Sequence, residues 1–177
     1  MLVLGALCTL RPWRLDDVAA LPEVANDPDV VRYMNHRFPS PYTRADAEAW
    51  IGLQLEQPDV QNWAIEVGGA LAGGIGLTLG ELEHAGNVAI GYWLSKRFWG
   101  RGIASDALRA LTSHALATLR PRRMWANVMG ANAASARVLE KAGYVREAVL
   151  ARSIVDRHGT AHDELIFVFP HTAVDMT

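Results

Sequence analysis

Between Ile103 and Leu119 the chain repeats Ala104, Ala107, Leu108, Leu111, Ala115 and Leu119 at helical spacing. It reaches that stretch from an apolar run, Val88 to Leu94, through a loop containing Gly100 and Gly102. A helix with one apolar face must bury it against another element. A strand that turns through glycines straight into such a helix makes a sheet the natural cover. The rest of the chain supplies that sheet. Leu7 to Arg11 reads as a strand, and short helices follow from Asp16 or Asp17 to about Val24 and from Asp27-Pro28 to about Met34. Thr43 looks like the cap of a helix that places Ala47, Trp50, Ile51 and Leu55 on one face and ends at Pro58. Asn62 to Val67 and Leu71 to Thr78 read as a hairpin turning at Gly68-Gly69.

After the long helix come a strand over Arg123 to Val128 and a helix over Ser135 to Ala142, stopped by Gly143. A last hairpin spans Val145 to Val155 and Ala161 to Phe169. This order predicts a single α+β domain over 1–177, with a mixed, mostly antiparallel sheet of about seven strands flanked by helices. A doubly wound parallel sheet does not fit it. Acceptor-side helices are expected over about 15–57, a cofactor-binding core over about 87–144 and a C-terminal hairpin over about 145–169.

The 177 residues carry a net charge of -2, and half of them are hydrophobic. That is the profile of a soluble globular chain and gives no basic surface for nucleic acid. Arg120, Arg122 and Arg123 read as a solvated loop. The start, MLVLGALC, lacks the basic segment and small residue of a cleavable signal and reads as a frayed end. No apolar run reaches the ~20 residues of a membrane span. The single cysteine, Cys8, fits a cytoplasmic location.

The chemistry-bearing stretch is GYWLSKRFWGRGIASDALRAL. A helix start presents unpaired N–H groups and the positive end of its dipole. Glycines before it let the backbone approach an anion, so the two together suit phosphate or pyrophosphate. Arg97 and Arg101 are placed to add charge-assisted contacts. Taken alone, the glycines fit a tight helix-capping turn equally well. A P-loop is excluded because GxxxxGK[ST] is absent, and GGALAGGIG falls inside a hairpin rather than before a helix.

The run RFWGRG, from Arg97 to Gly102, resembles the (Q/R)xxGx(G/A) pyrophosphate signature of the GCN5-related N-acetyltransferases. The flanking GYWL and GIASDAL, and the downstream NVMGANAASARVLEKAGY, resemble the RimJ/RimL-like branch that acetylates ribosomal-protein N-termini. LRPWRLDD, DPDVVRYM and FPSPYTRADAEAWI extend the likeness over nearly the whole chain. The resemblance implies splayed central parallel strands, Ile90 to Leu94 and Trp125 to Val128, with the pantetheine arm of acetyl-CoA paired to backbone near Trp93 and Leu94. It implies a pyrophosphate on the amides of Arg97 through Ala104, a span that includes Trp99, Gly100, Arg101, Gly102 and Ile103. Asn132 matches an asparagine that contacts the cofactor arm, and Ser135 a serine beside the thioester sulfur. Each also reads as a helix-start residue: Asn132 as a cap and Ser135 in the first turn.

The implied reaction is acetyl transfer to an amine without a covalent enzyme intermediate. Backbone N–H groups near Leu94 would stabilise the oxyanion, and Ser135 would donate to the departing thiolate. Relatives carry a glutamate where this chain has Ala89, so Glu83, with His84 next, is the substitute base. An α-amine, with a pKa of about 8, is already partly neutral at pH 7 and has little need of one. His158 and His162, near Asp156 and Asp163, lack the cysteine pair of a zinc site, and no metal is expected. The loop His36 to Tyr42 lies where relatives bind the acceptor. Three readings stay open here: acetylation of a protein or peptide α-amine, acetylation of a small amine such as an antibiotic, polyamine or amino acid, and a non-catalytic acyl-CoA-binding module. Monomer and homodimer are equally open.

Overall fold

A computed structural model describes residues 2–56 and 61–170. Its strands are β1 (Val3–Leu4), β2 (Thr9–Arg11), β3 (Asn62–Val67), β4 (Ala70–Leu79), β5 (Asn87–Leu94), β6 (Arg123–Met129), β7 (Val145–Val155) and β8 (Ala161–Val168). The α-helices are α1 (Asp17–Ala25), α2 (Pro28–Val31), α3 (Arg44–Glu56), α4 (Ile103–Thr118) and α5 (Ala133–Lys141). One sheet runs β1-β2-β3-β4-β5-β6-β8-β7. Every neighbouring pair is antiparallel except β5 and β6.

The α+β architecture is the expected one, with an eighth strand added. Val3 and Leu4, read as a frayed end, pair with Leu10 and Thr9. The tight turn between them is held by Asp106 of α4, which accepts from the N–H groups of Ala6 (3.1 Å) and Leu7 (2.7 Å). Helix α5 starts before Ser135, because Asn132 caps it by accepting from the Ser135 N–H at 3.1 Å. Helix α2 is shorter than expected, and hydrogen-bonded turns continue from it to Met34. Pro58, expected to end the third helix, lies outside the described residues.

Side-chain alternation along the strands builds two cores. Trp63 and Ile65 of β3 and Ala72 of β4 face one way, towards Ala107, Leu108 and Leu111 of α4. Ala64 and Leu71 face the other, towards Val18 and Leu21 of α1 and Ala47 and Ile51 of α3. The sheet is therefore sandwiched, with α4 and α5 on one side and α1 and α3 on the other. Between β3 and β4 the turn needs two left-handed residues, and Gly68 (φ 57°) and Gly69 (φ 81°) supply them.

A buried ion pair fixes α1 to the sheet. The Arg11 guanidinium donates to both carboxylate oxygens of Asp17, at 2.8 and 2.7 Å, and its Nε donates to Glu66 of β3 at 2.5 Å. Asp17 also accepts from the Arg14 N–H, so both buried charges are paired and hydrogen-bonded.

Candidate active site

Strands β5 and β6 pair only from Asn87↔Arg123 to Ala89↔Trp125. Beyond that point β5 runs on to Leu94 and β6 to Met129 without pairing to each other, so the sheet opens into a gap. Hydrogen bonds from Ser95 N–H to Ala72 C=O and from Gly80 N–H to Asn87 C=O, both 2.8 Å, set the phase of the β4–β5 ladder. Antiparallel alternation then commits Gly91 and Trp93 to β4 and turns the backbone groups of Ile90, Tyr92 and Leu94 towards the gap. The same argument from Phe169 N–H to Met124 C=O (3.0 Å) and Gly130 N–H to Asp163 C=O (2.7 Å) leaves Asn127 and Met129 of β6 facing it.

Backbone N–H and C=O groups inside a domain require partners. The gap offers donors and acceptors along both edges, which suits a linear chain carrying amides, as a pantetheine arm does. Leu94 was expected to take part, and its backbone is turned to the gap. Trp93 differs from expectation at the backbone, because its N–H and C=O belong to β4 and only its indole faces the cleft. The Leu94 carbonyl already accepts from Trp99 Nε1 at 2.7 Å, so its N–H is the group it turns to the gap.

Past Leu94 a 3-10 turn over Lys96–Phe98 leads to Gly100 (φ 74°) and Gly102 (φ 78°). Gly102 caps α4 without a side chain, so the amides of Ile103 and Ala104 open the helix uncovered by a cap. Trp99, Gly100, Gly102, Ile103 and Ala104 all line one continuous cleft of about 1650 Å³. Arg97 and Arg101 do not line it. Arg97 donates to the Leu71 carbonyl at 3.1 Å, and both guanidinium groups lie against the Phe98 ring, at 4.7 and 5.9 Å.

Asn132 and Ser135 enter the same cleft from α5. The Ser135 hydroxyl lies 2.8 Å from the Tyr92 hydroxyl, whose single proton has the Ser135 carbonyl, at 3.2 Å, as its other acceptor. Burial pushes the Tyr92 phenol up to about 12, so it stays protonated at neutral pH. When Tyr92 donates to Ser135 Oγ, the serine proton is free to point into the cleft. Tyr92 was read only as part of the GYWL run. Alternation along that run puts Tyr92 and Trp93 on opposite faces, the one local signal for its role.

Glu83 sits exposed on a 3-10 turn, Leu82–His84, and neither it nor His84 lines the cleft. Ala89 shares its sheet face with Gly91 and Trp93 and brings only a methyl group there. His162 Nε2 lies 2.9 Å from Asp156, and no cluster of metal-ligating groups occurs among the described residues.

On the α1–α3 side the cleft has a glycine floor and aromatic walls. A Cβ placed on Gly91 meets open space, in the middle of a strand. Trp93 lies against Gly74, and its ring is 5.7 Å from that of Phe38, which is 5.2 Å from Tyr42. Trp50 and Leu53 of α3 complete the wall.

A split sheet, a helix start without a side-chain cap and a hydroxyl pair beside both suit a protein that binds a phosphate-bearing linear cofactor. Residues 8–145 match the family model of the GNAT acetyltransferase domain, and the chain belongs to that family of N-acetyltransferases. It is 29% identical over 148 residues to the N-acetyltransferase p20 of Bacillus licheniformis, covering 80% of this chain and 81% of the relative. A structure of Mycobacterium smegmatis RimJ in complex with CoA-disulfide aligns with a TM-score of 0.78 at 25% identity, covering 97% of this chain and 88% of that one. RimL, a ribosomal L7/L12 alpha-N-protein acetyltransferase in complex with coenzyme A, shares the fold with a TM-score of 0.81 at 21% identity, covering 95% and 97%. The chain is an acetyltransferase.

Proposed function

We propose that the chain moves the acetyl group of acetyl-CoA to the α-amine of a protein or peptide N-terminus. The carrying observation is the continuity of the cleft from the gap between β5 and β6 to the acceptor-side wall of α3 and the loop after α2. That geometry leaves one face of the thioester open to an incoming amine. The resemblance of GYWL, GIASDAL and NVMGANAASARVLEKAGY to the branch that acetylates ribosomal-protein N-termini supports the choice of acceptor.

In this reading the neutral amine attacks the thioester carbon directly. Backbone N–H groups at the Leu94 end of the gap hold the carbonyl oxygen as charge builds on it. The C–S bond then breaks, Ser135 donates to the departing thiolate, and the amine proton leaves through water. Tyr92 keeps the serine hydroxyl turned to the sulfur. The glycine loop and the first amides of α4 hold the pyrophosphate. No strong base is needed, because an α-amine with a pKa of about 8 supplies a useful neutral fraction at pH 7.

The test follows free thiol from acetyl-CoA with a tetrapeptide bearing a free α-amine, beside the same peptide with that amine blocked. Thiol release with the free peptide alone is the expected result. Equal release with both, or release only with a lysine side chain, removes the α-amine assignment.

A further inference from the structure

We infer that the acceptor carries its reacting amine on an aromatic or bulky apolar body with no second positive charge. The inference rests on the acetyl-transfer reading and names the substrate class of the same site. Phe38 stands edge-on to Trp93 with ring centroids 5.7 Å apart, and Trp50 faces the same space from α3. Below them Gly91 leaves room where any other residue in the strand would place a side chain. An aromatic-walled chamber with open space at its glycine stabilises an apolar body and desolvates a charged one.

The charges on the wall point the same way. Among the described residues the cleft is lined by two carboxylates, Asp29 and Asp46. Asp29 is paired with Lys96 at 2.5 Å. Asp46 accepts from the Thr43 N–H and hydroxyl, at 2.8 and 2.6 Å, at the start of α3. The same cleft is lined by the exposed residues Arg32 and Arg37. A second cation on the acceptor therefore meets like charge, with Asp29 already paired to Lys96 and Asp46 already hydrogen-bonded to Thr43, which selects against polyamines, aminoglycosides and lysine-led peptides.

The experiment compares thiol release from acetyl-CoA with phenylalaninamide, lysinamide and spermidine as probes, with CoA binding followed separately by calorimetry. Phenylalaninamide is expected to exceed the other two in kcat/KM by tenfold or more, roughly the discrimination a single well-formed apolar contact supplies. Gly91→Val should remove phenylalaninamide turnover while CoA still binds, because its side chain fills the floor of the chamber. Arg37→Glu should raise kcat/KM for spermidine, a gain that loss of folding cannot imitate. Equal or faster turnover of lysinamide or spermidine by the parent overturns the inference and leaves acetyl transfer standing. Silence of every amine with CoA still bound overturns the inference and the α-amine reading together.

Discussion

Gly102 lies at φ 78°, where a side chain strains the backbone, and it opens α4 at the proposed pyrophosphate site. Gly102→Val is expected to cost about 1–3 kcal/mol in strain and to abolish CoA binding. A folded variant that binds CoA as the parent does, measured by calorimetry, would reduce the glycine to a turn residue. Ser135 carries a different expectation. Its hydroxyl helps chiefly when charge gathers on sulfur, so Ser135→Ala should lower kcat by about 10²-fold and leave acetyl-CoA affinity nearly intact. Tyr92→Phe keeps the ring and removes the hydroxyl bonded to Ser135 at 2.8 Å. It should produce a smaller kcat loss in the same direction, with no additive loss in the double variant. Steady-state kinetics beside melting curves decide the matter. A lowered melting point with unchanged kcat in both variants would make the pair structural.

At the scale of elements, the tip of the β7–β8 hairpin reaches across the cleft mouth to the loop after α2. Arg157 donates to the carbonyls of Asn35 (2.6 Å) and Phe38, and more distantly to that of Met34 (3.4 Å). His36 Nε2 meets the Val155 carbonyl at 3.1 Å from the other side. The loop so held carries Phe38, a wall of the acceptor chamber. Arg157→Ala should raise the KM for phenylalaninamide roughly tenfold, the scale of one lost charged hydrogen bond. The KM for acetyl-CoA should not move, and Arg157→Lys should restore part of the loss. A parallel rise in both KM values would assign Arg157 to general stability. Nothing local in the sequence marks this contact, because it joins residues about 120 positions apart. The same holds for Glu66 meeting Arg11 across the β2–β3 pair. Glu83 shows the opposite failure: a carboxylate in the loop before β5 reads as a base until the 3-10 turn places it outside the cleft.

Across the whole molecule, what the sequence revealed is what short-range physics encodes. The α4 stripe, the Gly68-Gly69 turn and the β7–β8 hairpin follow from periodicity and left-handed glycines. Strand β1 escaped because a two-residue strand has no period to read. The polar groups that folding desolvates are equally silent in sequence, yet they set how the fold responds to alkali. Burial pushes the phenols of Tyr42, Tyr92 and Tyr144 from 10.0 up to about 12. Burial, with Asp106 beside it, pushes the Cys8 thiol from 9.0 to about 12. These groups are neutral when protonated, so a raised pKa means that the folded chain keeps protons the unfolded chain has released. Below about pH 9 both states hold them and stability is unaffected. Between about pH 9 and 12 the unfolded state binds fewer protons, and the unfolding free energy falls as pH rises. The melting temperature should therefore decline through that window, first as unfolded Cys8 ionises and more steeply from pH 10. Tyrosinate absorbance from these three phenols should appear with unfolding rather than before it, and the native chain should resist thiol alkylation at Cys8. Tyr92→Phe should make the decline above pH 10 shallower. Titration of these phenols near pH 10 in the folded chain, with a flat melting temperature, would show that water reaches them and that the two cores are less closed than the packing implies.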